Sequence, residues 1–193
     1  MAQDFDTPRE RLYLPFLSAF YSQFAQPFGW LAFRILIGGW LALEGWHKVQ
    51  NPMGLAGFTE SIGFSPGWFF SPLLAVTNFV GGLLIVFGLL TRPAALANAV
   101  MLLVTYWFHA THPYGDAFLT QAGITYLNAN PDLLTPAGQA RLLSDGGAAF
   151  LAGPTGVQLK AELASLFSTA GAALIAAFGG GRISIDRMMK KEF

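Results

Sequence analysis

Glu44 and Lys48 stand four residues apart in an otherwise apolar run with His47 between them, and His109, His112 and Glu162 fall at the edges of two other apolar runs. A charge inside a bilayer is costly, so each of these residues is a candidate for function. Four apart on a helix, Glu44 and Lys48 can neutralise one another. A structural ion pair is therefore the first expectation and a proton-handling pair the second. Histidines on two facing helices suit a haem or a transition metal, but membrane helices also end in His simply because the interface is wet. A quinone head group matches the set better: its carbonyls need only a His, Lys or Arg donor beside apolar and aromatic walls such as Trp46, Tyr106, Trp107 and Phe108. The same rings also suit an aromatic belt at the membrane surface. Glu44, His47, Lys48, His109, His112 and Glu162 form the candidate quinone or proton site, and no metal site is expected.

To act together these residues need elements that hold them at one depth of a membrane. Of the 193 residues 53% are hydrophobic and 11% charged, against roughly 25% charged in an average soluble domain. About 20 apolar residues cross a hydrocarbon core of roughly 30 Å, and four such stretches are present, near Pro27 to His47, Trp68 to Leu90, Pro93 to His112 and Lys160 to Phe178. Apolar residues in them are continuous rather than alternating, which argues for helices and against strands. The Thr91-Arg92 turn is too short for anything but antiparallel neighbours. The reading is an all-α integral membrane protein, a four-transmembrane-helix antiparallel bundle over residues 27–193.

Lys and Arg favour cytoplasmic loops. Arg9, Arg11, Arg92, Arg182, Arg187, Lys190 and Lys191 share one side of such a bundle, and Lys48, Arg141 and Lys160 belong to the other. This predicts both termini inside a bacterial inner membrane, with the first span as its own signal. Residues 1–26 are expected to form an N-terminal interfacial segment, because Leu12, Phe16, Phe20 and Phe24 recur every four residues, although Pro15 interrupts the pattern. Residues 113–159 read as a long outer loop with a helix start at Thr135-Pro136, and loops of this length usually carry function. A periplasmic partner there, membrane lipids and other membrane subunits are the expected partners. Zero net charge and the lack of a basic aromatic stripe exclude nucleic acid, and zero cysteines exclude thiolate and disulfide chemistry.

The remaining polar residues inside the spans read as structural. Arg34 lies near enough to the inner surface to snorkel or to pack between helices. Asn78 and Asn98 are expected to hydrogen-bond neighbouring helices, and Gly38, Ala42 and Gly45 on the first span with Gly81, Gly82 and Gly88 on the second form tracks for close helix approach.

Arg34 with Gly38-Gly39, Glu44-Gly45 and Lys48, then Gly81-Gly82 through Gly88-Leu89-Leu90-Thr91-Arg92-Pro93, then Gly179-Gly180-Gly181-Arg182-Ile183-Ser184-Ile185-Asp186 form an ordered set. In it the chain resembles the DoxX family of small four-span membrane proteins. The resemblance implies a link with thiosulfate to quinone electron transfer, with membrane oxidoreductase complexes and with oxidative-stress responses; many members have no assigned reaction. Two departures matter. The family often has an acid where Asn78 stands, which weakens a shared proton role, and residues 113–159 are longer than usual, which points to a partner outside the membrane. Two readings follow: a subunit of a quinone-linked redox complex, with quinone as the one cofactor expected, or a non-catalytic accessory or docking subunit of a larger respiratory or photosynthetic complex. Catalysis by the isolated chain is left unassigned.

Overall fold

A computed structural model describes residues 12–111, 121–145 and 155–191. Four helices are long and apolar enough to cross a membrane, and every element among the described residues is helical. Helix α1 runs Pro15–Gln50, α3 Gly67–Phe87, α4 Thr91–Thr111 and α7 Thr155–Phe178. Short helices α2 (Ala56–Ser61), α5 (Gln121–Ala129), α6 (Pro136–Asp145) and α8 (Ile185–Met188) lie between or after them. The chain divides into two compact units, Met1–Leu103 with Phe167–Phe193, and Val104–Leu166.

In the first unit the buried stripe of α1 is Arg34, Gly38, Leu41, Ala42 and Gly45, the spacing of one helical face. Its partner is the stripe Ala75, Asn78, Gly82 and Ile85 of α3. A Cβ on Gly38 would sit 2.8 Å from the Gly82 carbonyl, and one on Gly45 would sit 2.5 Å from Phe79 Cα. Small residues therefore face inward and large ones outward, as expected where lipid supplies no hydrophobic force between helices and contact must come from close packing. Leu41, Ile85, Ala94, Ala95 and Ile175 form the core, while Leu36 and Leu43 are exposed. Gly81 turns instead toward Asn98 of α4, whose Nδ2 donates to the Thr77 carbonyl at 3.1 Å.

The second span stops at Phe87, earlier than the expected Leu90. Gly88 takes φ 71°, and its N–H and that of Leu89 return to the Ile85 and Leu84 carbonyls, closing the helix in a Schellman turn. Gly88 is thus a helix cap, and it is also a point of close approach, since a Cβ there would meet the Arg34 and Ser184 side chains. At the other end of α3 the Gly67 N–H donates to Glu60 Oε1 at 2.7 Å. The expected interfacial stretch from Pro15 is helical and continues directly into the first span, through a π-helical turn at Tyr21–Ala25.

In the second unit, the described part of residues 113–159 holds α5 and α6 with a 3₁₀ turn at Pro131–Leu133 between them. Helix α6 begins at Pro136, and Thr135 Oγ1 accepts the Gly138 N–H at 3.2 Å, the N-cap that the Thr-Pro pair predicts. Ile124 and Leu142 are buried. α7 starts at Thr155, one turn before the expected Lys160.

Candidate functional site

Because Leu41, Ala42 and Gly45 occupy the packed face of α1, residues between them turn away from it. Glu44 and His47 are exposed and Lys48 is half-buried. Lys48 Nζ lies 3.9 Å from Glu44 Oε2, with 48% of the Glu44 side chain accessible. At positions i, i+3 and i+4, Glu44, His47 and Lys48 share one side of the helix. Trp46 closes the edge of this patch by stacking on Phe79, ring centroids 5.5 Å apart. A carboxylate, an imidazole and an ammonium are thus offered outward from α1 in its last two turns. Such a set can hydrogen-bond a carbonyl ligand from Lys48 or His47 and exchange protons through Glu44 or His47.

His109 and Glu162 belong to the second unit. His109 lies in the last turn of α4, Glu162 lies on α7, and the two interact electrostatically. His112 falls outside the described residues.

A second polar cluster lies at the opposite end of α1, where residues 179–191 fold back over the first unit. The Arg34 side chain is only 2% exposed, so it does not snorkel into the headgroup region. Its guanidinium donates to the carbonyls of Gly180, Ile183 (2.8 Å) and Val86 (3.3 Å), which ties α1 to the end of α3 and to the segment after α7. Trp30 Nε1 adds a bond to the Gly179 carbonyl at 3.0 Å. The opposite charge is Asp186, 5% exposed. Its carboxylate accepts the N–H groups of Leu90 and Thr91 at 2.8 and 2.9 Å and the Thr91 hydroxyl at 2.7 Å. Asp186 thereby caps α4 from 95 residues away, where a negative charge meets both the free N–H groups and the positive end of the helix dipole. Ser184 in turn caps α8 through its hydroxyl, which accepts the Arg187 N–H.

Sequence reasoning named Arg34 but not Asp186, Thr91 or Ser184 as its network. One local signal pointed there: Ser184 and Asp186 stand two apart, shortly after a Gly-Gly-Gly break. Asn98 makes the interhelical bond expected of it. Asn78 is 1% exposed, but its Oδ1 has no hydrogen-bond partner in the structure, so the bond expected of that residue is not formed through its oxygen.

Membrane-length helices packed through small residues, with a buried arginine and a distant aspartate locking their ends, define a multi-pass helical membrane protein. Residues 29–111 match the family described as DoxX, so the chain carries a DoxX-like segment over these residues. It is also similar to Inner membrane protein YqjF of Escherichia coli (strain K12), with 39% identity over 88 residues, which cover 45% of this chain and 66% of the relative. The match thus spans just under two thirds of that relative's length. That relative is named an inner membrane protein, and this chain has four helices long and apolar enough to cross a membrane. No solved structure matches it.

Proposed function

We propose that the chain is a small inner-membrane subunit serving a quinone-linked redox complex, with Glu44, His47 and Lys48 forming the quinone-facing patch. The observation that carries this reading is the outward orientation of the patch: Glu44 is 48% accessible beside Lys48, so a lipid-soluble ligand reaches it sideways from the bilayer without opening the packed face. Lys48 or His47 donates to a quinone carbonyl, and Glu44 and His47 are the groups that hand over protons. Reduction of a quinone to a quinol takes two electrons and two protons; in this proposal the electrons come from the partner complex. His109 with Glu162, and His112, extend the candidate set.

A photoreactive azidoquinone added to native membranes is expected to label the peptide that contains residues 44–50. Each hydrogen bond to a charged group contributes about 1.5–3 kcal/mol, so the variant Glu44→Gln with Lys48→Met is expected to lose labelling roughly tenfold or more. Equal labelling of both proteins would overturn the quinone assignment. A docking subunit is the second reading, favoured by the helices α5 and α6 within residues 113–159, which give a periplasmic partner a folded surface. Absence of labelling together with co-purification of a large complex would favour it.

The proposed orientation is termini inside, argued from Arg9, Arg11, Arg92, Arg182, Arg187, Lys190 and Lys191, which a four-span order puts on one side. Reporters fused after Phe193 and inserted near Gln139 are expected on opposite sides of the membrane. Both on one side would remove this topology.

A further inference from the structure

The first helix is longer than its neighbours need. α3 and α4 have 21 residues each, about 31 Å at 1.5 Å per residue. Arg34 of α1 lies level with the end of α3, through Val86, and Trp30 lies level with the end of α7, through Phe178 and Gly179. Residues 30–50 therefore cross the same thickness, and residues 15–29 add about 22 Å of helix beyond it.

That extension is built the wrong way round for water. Between Leu12 and Phe33 there is no Asp, Glu, Lys or Arg. Phe16, Phe20, Phe24 and Phe28 recur every four residues and are 75%, 51%, 54% and 48% exposed, and the last three rings stack at 5.6 and 4.8 Å. Ser18, Ser22 and Gln26 take the half-buried side. A helix in water turns its polar residues out, whereas this one turns its aromatic row out, continuous with the exposed Leu36 and Leu43 on the spanning part of α1. The π-helical turn at Tyr21–Ala25 and Pro27 just after it interrupt the regular hydrogen-bond ladder, which is where helices bend.

Alongside it lies a basic tail. Arg182 Nη1 donates to the Ser22 carbonyl at 2.8 Å, which brings the segment after α7 against the extension. Arg182, Arg187, Lys190 and Lys191 are exposed there. Among the described residues the acid of this segment is Asp186, which is buried and already occupied by α4. The acids of residues 1–11 and Glu192 lie outside the described residues.

We propose that Pro15 to Phe28 and the tail 182–191 form one binding surface for anionic phospholipid. The aromatic row enters the acyl boundary of the leaflet facing the termini, and the basic side chains hold the headgroups. Aromatic rings favour that boundary, and basic residues beside an amphipathic helix favour anionic headgroups.

The chain has no cysteine, so single-cysteine labelling tests this directly on the full-length protein in nanodiscs. A fluorophore at Phe20→Cys or Phe24→Cys is expected to be quenched by lipids spin-labelled near the headgroup and protected from aqueous iodide, as one at Leu36→Cys is. In discs of equal phosphatidylglycerol and phosphatidylcholine, native mass spectrometry is expected to show the anionic lipid retained in excess. That excess should fall roughly fivefold or more in Lys190→Gln with Lys191→Gln, a variant that leaves the buried contacts in place. Iodide quenching at both phenylalanine positions would put the face in water and overturn the proposal. A disulfide between two Phe20→Cys chains in discs holding two copies would assign the face to a second copy and overturn it equally. Unchanged lipid selectivity in the double lysine variant would remove the headgroup site.

Discussion

Replacing Arg34 by methionine is expected to destabilise the protein by roughly 3–5 kcal/mol, the range measured when one partner of a buried charge pair is removed. Three carbonyls, of Gly180, Ile183 and Val86, lose their donor at once, and the buried Asp186 loses its counter-charge. Arg34→Lys is not expected to rescue the loss. An ammonium is a single point charge, whereas the guanidinium reaches carbonyls on two segments through its fork. Thermal unfolding in detergent, followed by tryptophan fluorescence, reads the result because Trp30 sits on the Gly179 carbonyl within the same lock. Combining Arg34→Met with Asp186→Asn should recover part of the stability, since the stranded charge is gone while an amide oxygen still accepts from Thr91. Full native stability in Arg34→Lys would show that the fork contributes nothing.

Gly45→Ala is the second large effect. The added methyl would meet the backbone of Phe79, its carbon lying 2.5 Å from Phe79 Cα, and backbone cannot rotate aside as a long side chain can. Helices α1 and α3 must separate, and overpacking of this kind costs roughly 3 kcal/mol at its upper end. Gly39→Ala, on the same helix, meets nothing within 4 Å. There the change should stabilise by up to about 1 kcal/mol, because Ala is the better helix former. Opposite signs for two identical substitutions six residues apart, measured by the same unfolding assay, test the crossing of α1 and α3. If both variants were destabilised alike, the close approach at Gly45 would be refuted.

These two sites also bear on the proposed function, because they hold in place the helix that carries Glu44, His47 and Lys48. The outward rotation of that patch follows from the inward rotation of Gly38, Ala42 and Gly45 on the same helix. A variant that loosens the crossing is therefore expected to disturb quinone labelling without touching any residue of the patch, and Gly39→Ala is expected to leave it unchanged.

Much of this architecture is determined by the sequence alone. Apolar runs long enough to span 30 Å can be read without coordinates, because hydrocarbon forces every backbone group to bond within its own helix. Small residues at helical spacing marked where α1 meets α3, and Thr135-Pro136 marked the start of α6, since both are local signals with a local physical cause. Only the tertiary structure decided how the ends are locked. Asp186 and Thr91 are 95 residues apart, and nothing in the residues around either one specifies the other. Gly88 illustrates the same limit: its type allowed a close contact or a left-handed cap, and only the structure shows that it serves as both, with φ 71° and the Arg34 and Ser184 side chains packed against it. The aromatic row from Phe16 to Phe28 was visible as a repeat, but its outward direction depended on Arg182 reaching the Ser22 carbonyl from the far end of the chain. Periodicity fixes which residues share a face; contacts distant in sequence fix where that face points.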